Sequence, residues 1–354
     1  MPTILSHRSH SDGGQCPPRG TFLTMNRLVY IAVISFLCTP RSVCAEDRRS
    51  DRTLLTIMAF NVEFMWDGLL PEEGAVGFPW KNDPEAARQK MAEIAKVIRR
   101  HDSDIVHLCE VENLEALTLL NDSFLADQRY KPYLVQGRDT FTGQDVALLT
   151  RVDPDSLHCD RRQGRSGDVR KNVSKHYVAR LTVGDTRLAL IGAHLLARPL
   201  ERARLHKRQA QADAIAQIAT EEARAGYQVI VLGDLNDYDG ADRDHLSREP
   251  ITNVLAHIRG LDQRTTADDL VNLITFVPRP ERYTAWADFN GNGKIERPEE
   301  YTGIDHILVS RDLARRLIEI DIDHRHDPLK VSDHFPLIAR FRWEGDTPPA
   351  DNPR

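Results

Sequence analysis

The chain has 354 residues, with 47 Lys+Arg against 53 Asp+Glu and a formal charge of −6; 41% of it is hydrophobic and 28% charged. That apolar content is enough to bury a core and excludes wholesale disorder. The negative charge excludes bulk electrostatic capture of nucleic acid, which needs a strongly basic footprint. It leaves open an enzyme that handles phosphate at one local site.

Residues 1–24 are polar and irregular. Met25-Asn26-Arg27 then leads into an apolar run, Leu28–Cys38, of 11 residues. A bilayer span takes about 20 residues. A charged start, a short apolar run and small residues near Val43 and Ala45 read as a secretory signal cleaved after Ala45, with Met25 as an alternative start. Cleavage removes four arginines and one aspartate, which makes the mature charge −9, and removes Cys16, Cys38 and Cys44. Two cysteines remain, Cys109 and Cys159, free or joined in one bridge, too few for a disulfide framework. The expected organisation is a leader over 1–45, one domain over 46–343 and a frayed Pro-rich tail over 344–354. The mature product is expected to be a monomer, periplasmic or secreted, with no membrane insertion.

Along the mature chain, strand-like and helix-like segments alternate. Leu54–Val62 reads as a strand. Asn82-Asp83-Pro84 reads as a helix start, a capping residue before a proline whose missing N–H costs nothing there. Ala87, Met91, Ile94, Ala95 and Ile98 follow at helical spacing. Asp104–Val111, Val146–Thr150, Tyr177–Val183 and Arg187–Ala193 read as strands. Glu201–Ala225 reads as a long helix, and Val229–Gly233, Asp305–Val309 and Pro336–Arg342 as further strands. Short strands with few helices between them predict a β-sandwich flanked by helices.

Several of these strands end in residues suited to phosphoryl chemistry: Asn61, Glu110, His194, Asp234, Asn236, Asp305, Asp333 and His334. Carboxylates are hard oxygen ligands for divalent cations. Imidazoles exchange protons near neutral pH. An Asn amide can hold a phosphate oxygen or orient water. Each residue alone is a weak signal; their joint order is specific.

The segments MAFNVE, HLCEVEN, VALLTR, IGAHL, VLGDLNDY, GIDHILVS and VSDHFPL, in that order, resemble the endonuclease/exonuclease/phosphatase superfamily with its DNase I-like fold. The resemblance runs from about Leu54 to Arg342. It implies an α+β fold, a four-layered α/β/β/α sandwich with the site at one edge between the sheets. It implies that Glu110 and Asn61 hold Mg²⁺ or Mn²⁺, with Asp333 assisting. It implies that Asp305 orients His334, that His194 is the second catalytic histidine, and that Asp234 and Asn236 contact the scissile phosphate and position the nucleophile. His306, beside Asp305, is expected on the opposite face of its strand. One position departs from the DNase I branch, which orients the first histidine with a Glu just before the VALLTR strand. Here stands Gln144-Asp145: Asp145 is a substitute carboxylate, whereas Gln144 can orient the ring but cannot stabilise its charge.

Asp288 to Glu299 matches a complete EF-hand loop, with Asp288, Asn290, Asn292 and Glu299 among the expected Ca²⁺ ligands, although a strand and not a helix follows. Two basic stretches, one carrying Arg165, Arg170 and Lys175 and the other carrying Arg198 and Arg208, are candidate contacts for a polyanion. The expected activity is metal-dependent phosphodiester hydrolysis by an exported nuclease acting on DNA and/or RNA. The alternatives are a phosphodiesterase or phosphatase of lipids or small molecules, and a calcium-binding protein with an inactive site.

Overall fold

The computed structural model describes residues 45–69, 82–138, 142–198, 201–250, 252–260, 269–296 and 298–343. The expected leader and tail lie outside these residues, apart from Ala45. No helix among the described residues is long and apolar enough to cross a membrane.

In chain order the elements are β1 (Leu54–Met65), α1 (Pro84–His101), β2 (Ile105–Val111), α2 (Leu114–Phe124), β3 (Lys131–Leu134), β4 (Asp145–Thr150) and β5 (Ser156–His158). A small hairpin follows, β6 (Gly164–Ser166) with β7 (Val169–Lys171), then β8 (Lys175–Val183), β9 (Thr186–His194), α3 (Leu205–Arg224) and β10 (Gln228–Asp234). The rest is α4 (Val254–Ile258), β11 (Leu270–Asn272), β12 (Ala285–Trp286), β13 (Tyr301–Thr302), β14 (Asp305–Ser310), α5 (Arg311–Arg315), β15 (Leu317–Ile322) and β16 (Leu337–Arg342).

Two mixed six-stranded sheets form, ordered β15-β16-β1-β2-β4-β3 and β11-β14-β10-β9-β8-β5. Strand alternation explains why they stack. In β1, Leu55, Ile57 and Ala59 enter the core between the sheets, while Met58, Phe60 and Val62 pack with α1 and α2 residues such as Met91, Ile94 and Leu117. In the second sheet Ile230, Leu232, Ile307 and Val309 face inward, while Val229, Val231 and Leu308 meet Ile215 and Ile218 of α3. Three buried clusters therefore separate four layers, helices outside and sheets inside. This is the α/β/β/α sandwich.

The helix start is built as the sequence implies: the Asp83 carboxylate accepts the Ala86 N–H at 3.0 Å and Pro84 opens α1. The long helix differs from its reading. It begins at Leu205, because residues 202–204 form a 3₁₀ turn and no side chain caps Arg204. Cys109 is buried, Cys159 half-buried, and both are free. Replacing Asp83 by Ala removes the cap of α1 and should cost about 1 kcal/mol, read as a lower urea midpoint at unchanged m-value.

Candidate active site

Five strands and the segment before β16 deliver polar side chains to one edge, where the sheets come together. Asn61 lies on β1 and Glu110 on β2, both in the first sheet. His194 ends β9, Asp234 ends β10 and Asp305 opens β14, all in the second. Contacts cross between the sheets. The Asn61 amide donates to Glu110 Oε1 at 3.2 Å and to Asp234 Oδ2 at 3.1 Å. His194 Nε2 lies 3.5 Å from Asp234 Oδ2 and 3.9 Å from Glu110 Oε1. His334 Nδ1 meets Asp305 Oδ2 at 2.8 Å, and its Nε2 lies 3.8 Å from Asp234 Oδ2.

Regular strands would not give this arrangement. In β2, Ile105 and Cys109 face the inter-sheet core, and Val106 and Leu108 face the helices. Continued alternation would send Glu110 to the helical side. The pairing register instead shifts between Cys109 and Val111, and Glu110 takes φ 64°. Bulges of this kind re-aim side chains beside functional sites. The Glu110 carboxylate accordingly receives the Asn61 amide and the Phe64 N–H. Gly233 has a comparable function. At φ 124° it takes a conformation that side-chain-bearing residues rarely adopt, and a Cβ there would stand 2.3 Å from Ala193 O and 2.5 Å from His107 Nε2. Only glycine brings β10 close enough to β9 to set Asp234 beside His194.

The remaining candidates fall into three groups. Asn236, at φ 50°, donates its backbone N–H to Asp234 Oδ1 and its amide to Leu195 O, so it is fixed next to the carboxylates. Asp333 Oδ1 lies 3.9 Å from His334 Nε2, and its side chain is about a third exposed. Lys175 pairs in register with His194 and donates to Thr142 Oγ1, which sets its charge beside the site. Arg165 and Arg170 instead lie in the β6–β7 hairpin, where Arg165 bonds Asp213 of α3 and Gly167 O. Arg198 pairs with Glu201 and, with Tyr238, Phe289 and Ile304, lines a cavity of about 260 Å³. His306 points away from the site, as expected, and bonds Asn272 and Asp237 O.

Sequence reasoning missed the braces. Ser332 Oγ donates to Asn61 O at 2.7 Å and accepts the His334 N–H at 3.1 Å, which ties β1 to the turn that carries His334. Thr284 Oγ1 accepts the Asp305 N–H. Arg208, in the second basic stretch, is buried and ion-paired to Asp237 at 2.6 Å, so it holds the Asp234–Asp237 turn and not a polyanion. The Gln144-Asp145 departure also has a structural outcome. His194 Nδ1 and both amide atoms of Gln144 have no hydrogen-bond partner among the described residues, and Asp145 Oδ1 accepts the Gly137 N–H.

The charges do not balance. Burial, then the neighbouring charge of Asp305, pushes the Asp234 carboxyl up to about 8. Burial opposes charge on His334 as well, but Asp305, Asp333 and Asp234 outweigh it and hold that imidazole well above its usual range. Burial drives His194 the other way, helped by Lys175 and His334, so it stays neutral. Ligand atoms of Asp234, Asp305 and His334 all lie within 4.8 Å of one another. Glu110 Oε1 and Asp234 Oδ2 also converge on the Asn61 amide, and neighbouring carboxylate oxygens of this kind fit a hard divalent cation.

The sequence matches the Endonuclease/Exonuclease/phosphatase family over residues 58–334. The chain belongs to that family. A 3′-5′ exonuclease from Neisseria meningitidis aligns structurally at 18% identity and TM-score 0.55, over 82% of this chain and 100% of that one. An AP endonuclease from Archaeoglobus fulgidus aligns at 16% identity and TM-score 0.51, over 81% and 99%. TDP2 from D. rerio, complexed with single-strand DNA product, aligns at 16% identity and TM-score 0.50, over 82% and 99%. These likenesses show the fold. No curated protein sequence matches.

Two outcomes follow from Asp234. Its carboxyl is protonated below about pH 8, and a ligand must lose that proton. Mg²⁺ affinity should therefore rise steadily from pH 6 to pH 9 in calorimetry, with proton release measured in buffers of different ionisation enthalpy. Asp234→Asn relieves a buried repulsion and should stabilise the metal-free protein at pH 9 by roughly 1 kcal/mol or more, seen as a raised Tm.

Proposed function

We propose that the protein is an exported nuclease that cleaves phosphodiester bonds in DNA and/or RNA with Mg²⁺ or Mn²⁺. The observation that carries this is the set of opposed histidines around Asp234, one held charged by Asp305 and one held neutral by burial. Family membership supports metal-dependent phosphoester hydrolysis. The finer reading rests on the charge around the site and on the leader.

Glu110, Asn61 and Asp234 are the residues that would hold the cation, with Asp333 at the rim. When bound, the cation supplies charge neutralisation on the phosphate oxygens. This chain's own residues do the rest. Asp305 accepts a hydrogen bond from the Nδ1–H of His334, which fixes the ring and turns Nε2 to the site. His334, carrying its proton, is the general acid toward the leaving oxygen. His194, neutral, is the base toward an attacking water. One Asn236 amide hydrogen is taken by Leu195 O, and the other is left for a phosphate oxygen. Lys175 adds positive charge beside His194.

Two considerations favour nucleic acid. Lys175 and Arg198 supply cationic contacts near the site. A second Neisseria structure, of the 3′ phosphatase NExo, is bound to a product DNA hairpin and D. rerio TDP2 is complexed with single-strand DNA product, and both share the fold. Export follows from the Met25–Ala45 pattern. The cavity lined by Tyr238, Phe289 and Ile304 favours a second reading, a small phosphodiester with one bulky apolar substituent.

One panel separates the readings: purified mature protein with plasmid, linear and single-stranded DNA, RNA, sphingomyelin and a chromogenic phosphodiester, each with Mg²⁺, Mn²⁺ or chelator. Nucleic acid should be cleaved and chelator should stop it; turnover of sphingomyelin alone would overturn the nuclease reading. His334→Ala and His194→Ala should each lower kcat by roughly 10²–10⁴-fold at unchanged Tm. Near-wild-type turnover in either would remove that histidine from the mechanism.

A further inference from the structure

We propose that the loop between β12 and β13 binds one calcium ion, and that Glu300, not Glu299, supplies the closing carboxylate. This inference does not depend on the hydrolytic reading.

The loop is built on Asp288, Asn290, Asn292 and Glu296. Asp288 accepts the Asn292 N–H at 3.1 Å and the Gly293 N–H at 2.7 Å. Asn290 Oδ1 accepts the Asn292 N–H, and Asn292 Oδ1 accepts the Lys294 N–H. Glu296 takes the amide hydrogens of Asn290 and Asn292 at 2.6 and 3.1 Å. Gly291 and Gly293 make the sharp bend at φ 70° and 67°. These contacts describe a turn and would not alone define a site.

The independent observation is Glu300. It is 3% exposed, in a protein where buried carboxylates are costly unless paired. Its Oε2 accepts the Trp286 indole N–H at 3.1 Å and the Glu296 N–H at 3.0 Å, so the carboxylate is held against the ligand-bearing turn. Its Oε1 is buried and has no hydrogen-bond partner among the described residues. Buried polar atoms are nearly always satisfied, and a cation in the turn would satisfy this one. Glu299 is exposed, and its backbone carbonyl accepts Arg248 Nη2. The shift by one residue follows from the hairpin: Ala287 N–H bonds Glu300 O and extends the β12–β13 ladder, so residue 300 lies against Trp286.

Asp288, Glu296 and Glu300 offer three carboxylates and Asn290 and Asn292 two amide oxygens, hard donors that suit calcium and not a soft or nitrogen-seeking metal, and the loop would close on the ion to bring them together. A set of this charge should bind with a Kd on the order of 0.1–1 mM. The site is tied to the catalytic turn. Trp286 donates its backbone N–H to Asp333 O at 2.7 Å, and Ala285 bridges to His334. Calcium should therefore stabilise the hairpin that braces His334.

Terbium luminescence on the full mature chain, excited through tryptophan, tests this in an Asp234→Asn background that disables the acidic catalytic cluster. Sensitised emission from Trp286 is expected, displaced by Ca²⁺ and not by equal Mg²⁺, with a calcium-dependent rise in Tm. Glu300→Gln should weaken calcium at least tenfold, and Glu299→Gln should leave it within twofold. Asp288→Asn, half-exposed and away from the ladder, should also weaken it about tenfold with an unchanged circular dichroism spectrum, which separates ligand loss from unfolding. Loss of binding in Glu299→Gln with retention in Glu300→Gln would overturn the assignment. No calcium effect at about 5 mM would overturn the site.

Discussion

The structure turns on a buried carboxylate that its neighbours repel. Asp234 sits at the end of β10 with Asp305 and Glu110 close by, and water cannot reach it to screen them. A fold selected for stability alone would place a neutral side chain there. Two sheets, a bulge in β2 and a glycine at an unusual φ are all needed to bring those oxygens together. The His334 imidazolium offsets part of that repulsion, and a divalent cation would offset the rest.

The same field sorts the two histidines. His334 lies against Asp305 and is held as an imidazolium. His194 faces Lys175 and His334, has no hydrogen-bond partner at Nδ1 among the described residues, and is held neutral. Identical side chains a few ångströms apart thus receive opposite proton inventories from burial and neighbours.

Much of this was legible in the sequence, because strand ends are where alternation stops and chemistry begins. Asn61, His194, Asp234 and Asp305 each end or open an apolar run, and the helix cap at Asp83 was visible as a local pattern. What escaped depended on register and burial. Nothing in HLCEVEN announces that Glu110 breaks the alternation. Arg208 reads as a phosphate arm until Asp237 is seen buried against it. The α2 helix was missed although Asn113, inside the same motif, caps it by accepting the Ala116 N–H. Glu299 fills the twelfth position of a loop pattern, but the hairpin ladder presents Glu300.

The central claim is that the carboxylates at the joined sheet edge form a divalent-cation centre. Anomalous diffraction from crystals soaked in Mn²⁺ tests it most directly. The account predicts a manganese peak bounded by Asn61, Glu110 and Asp234, with carboxylate oxygens at about 2.0–2.3 Å, and loss of that peak in Asp234→Asn. Full manganese occupancy elsewhere on the molecule, with this edge empty, would contradict it.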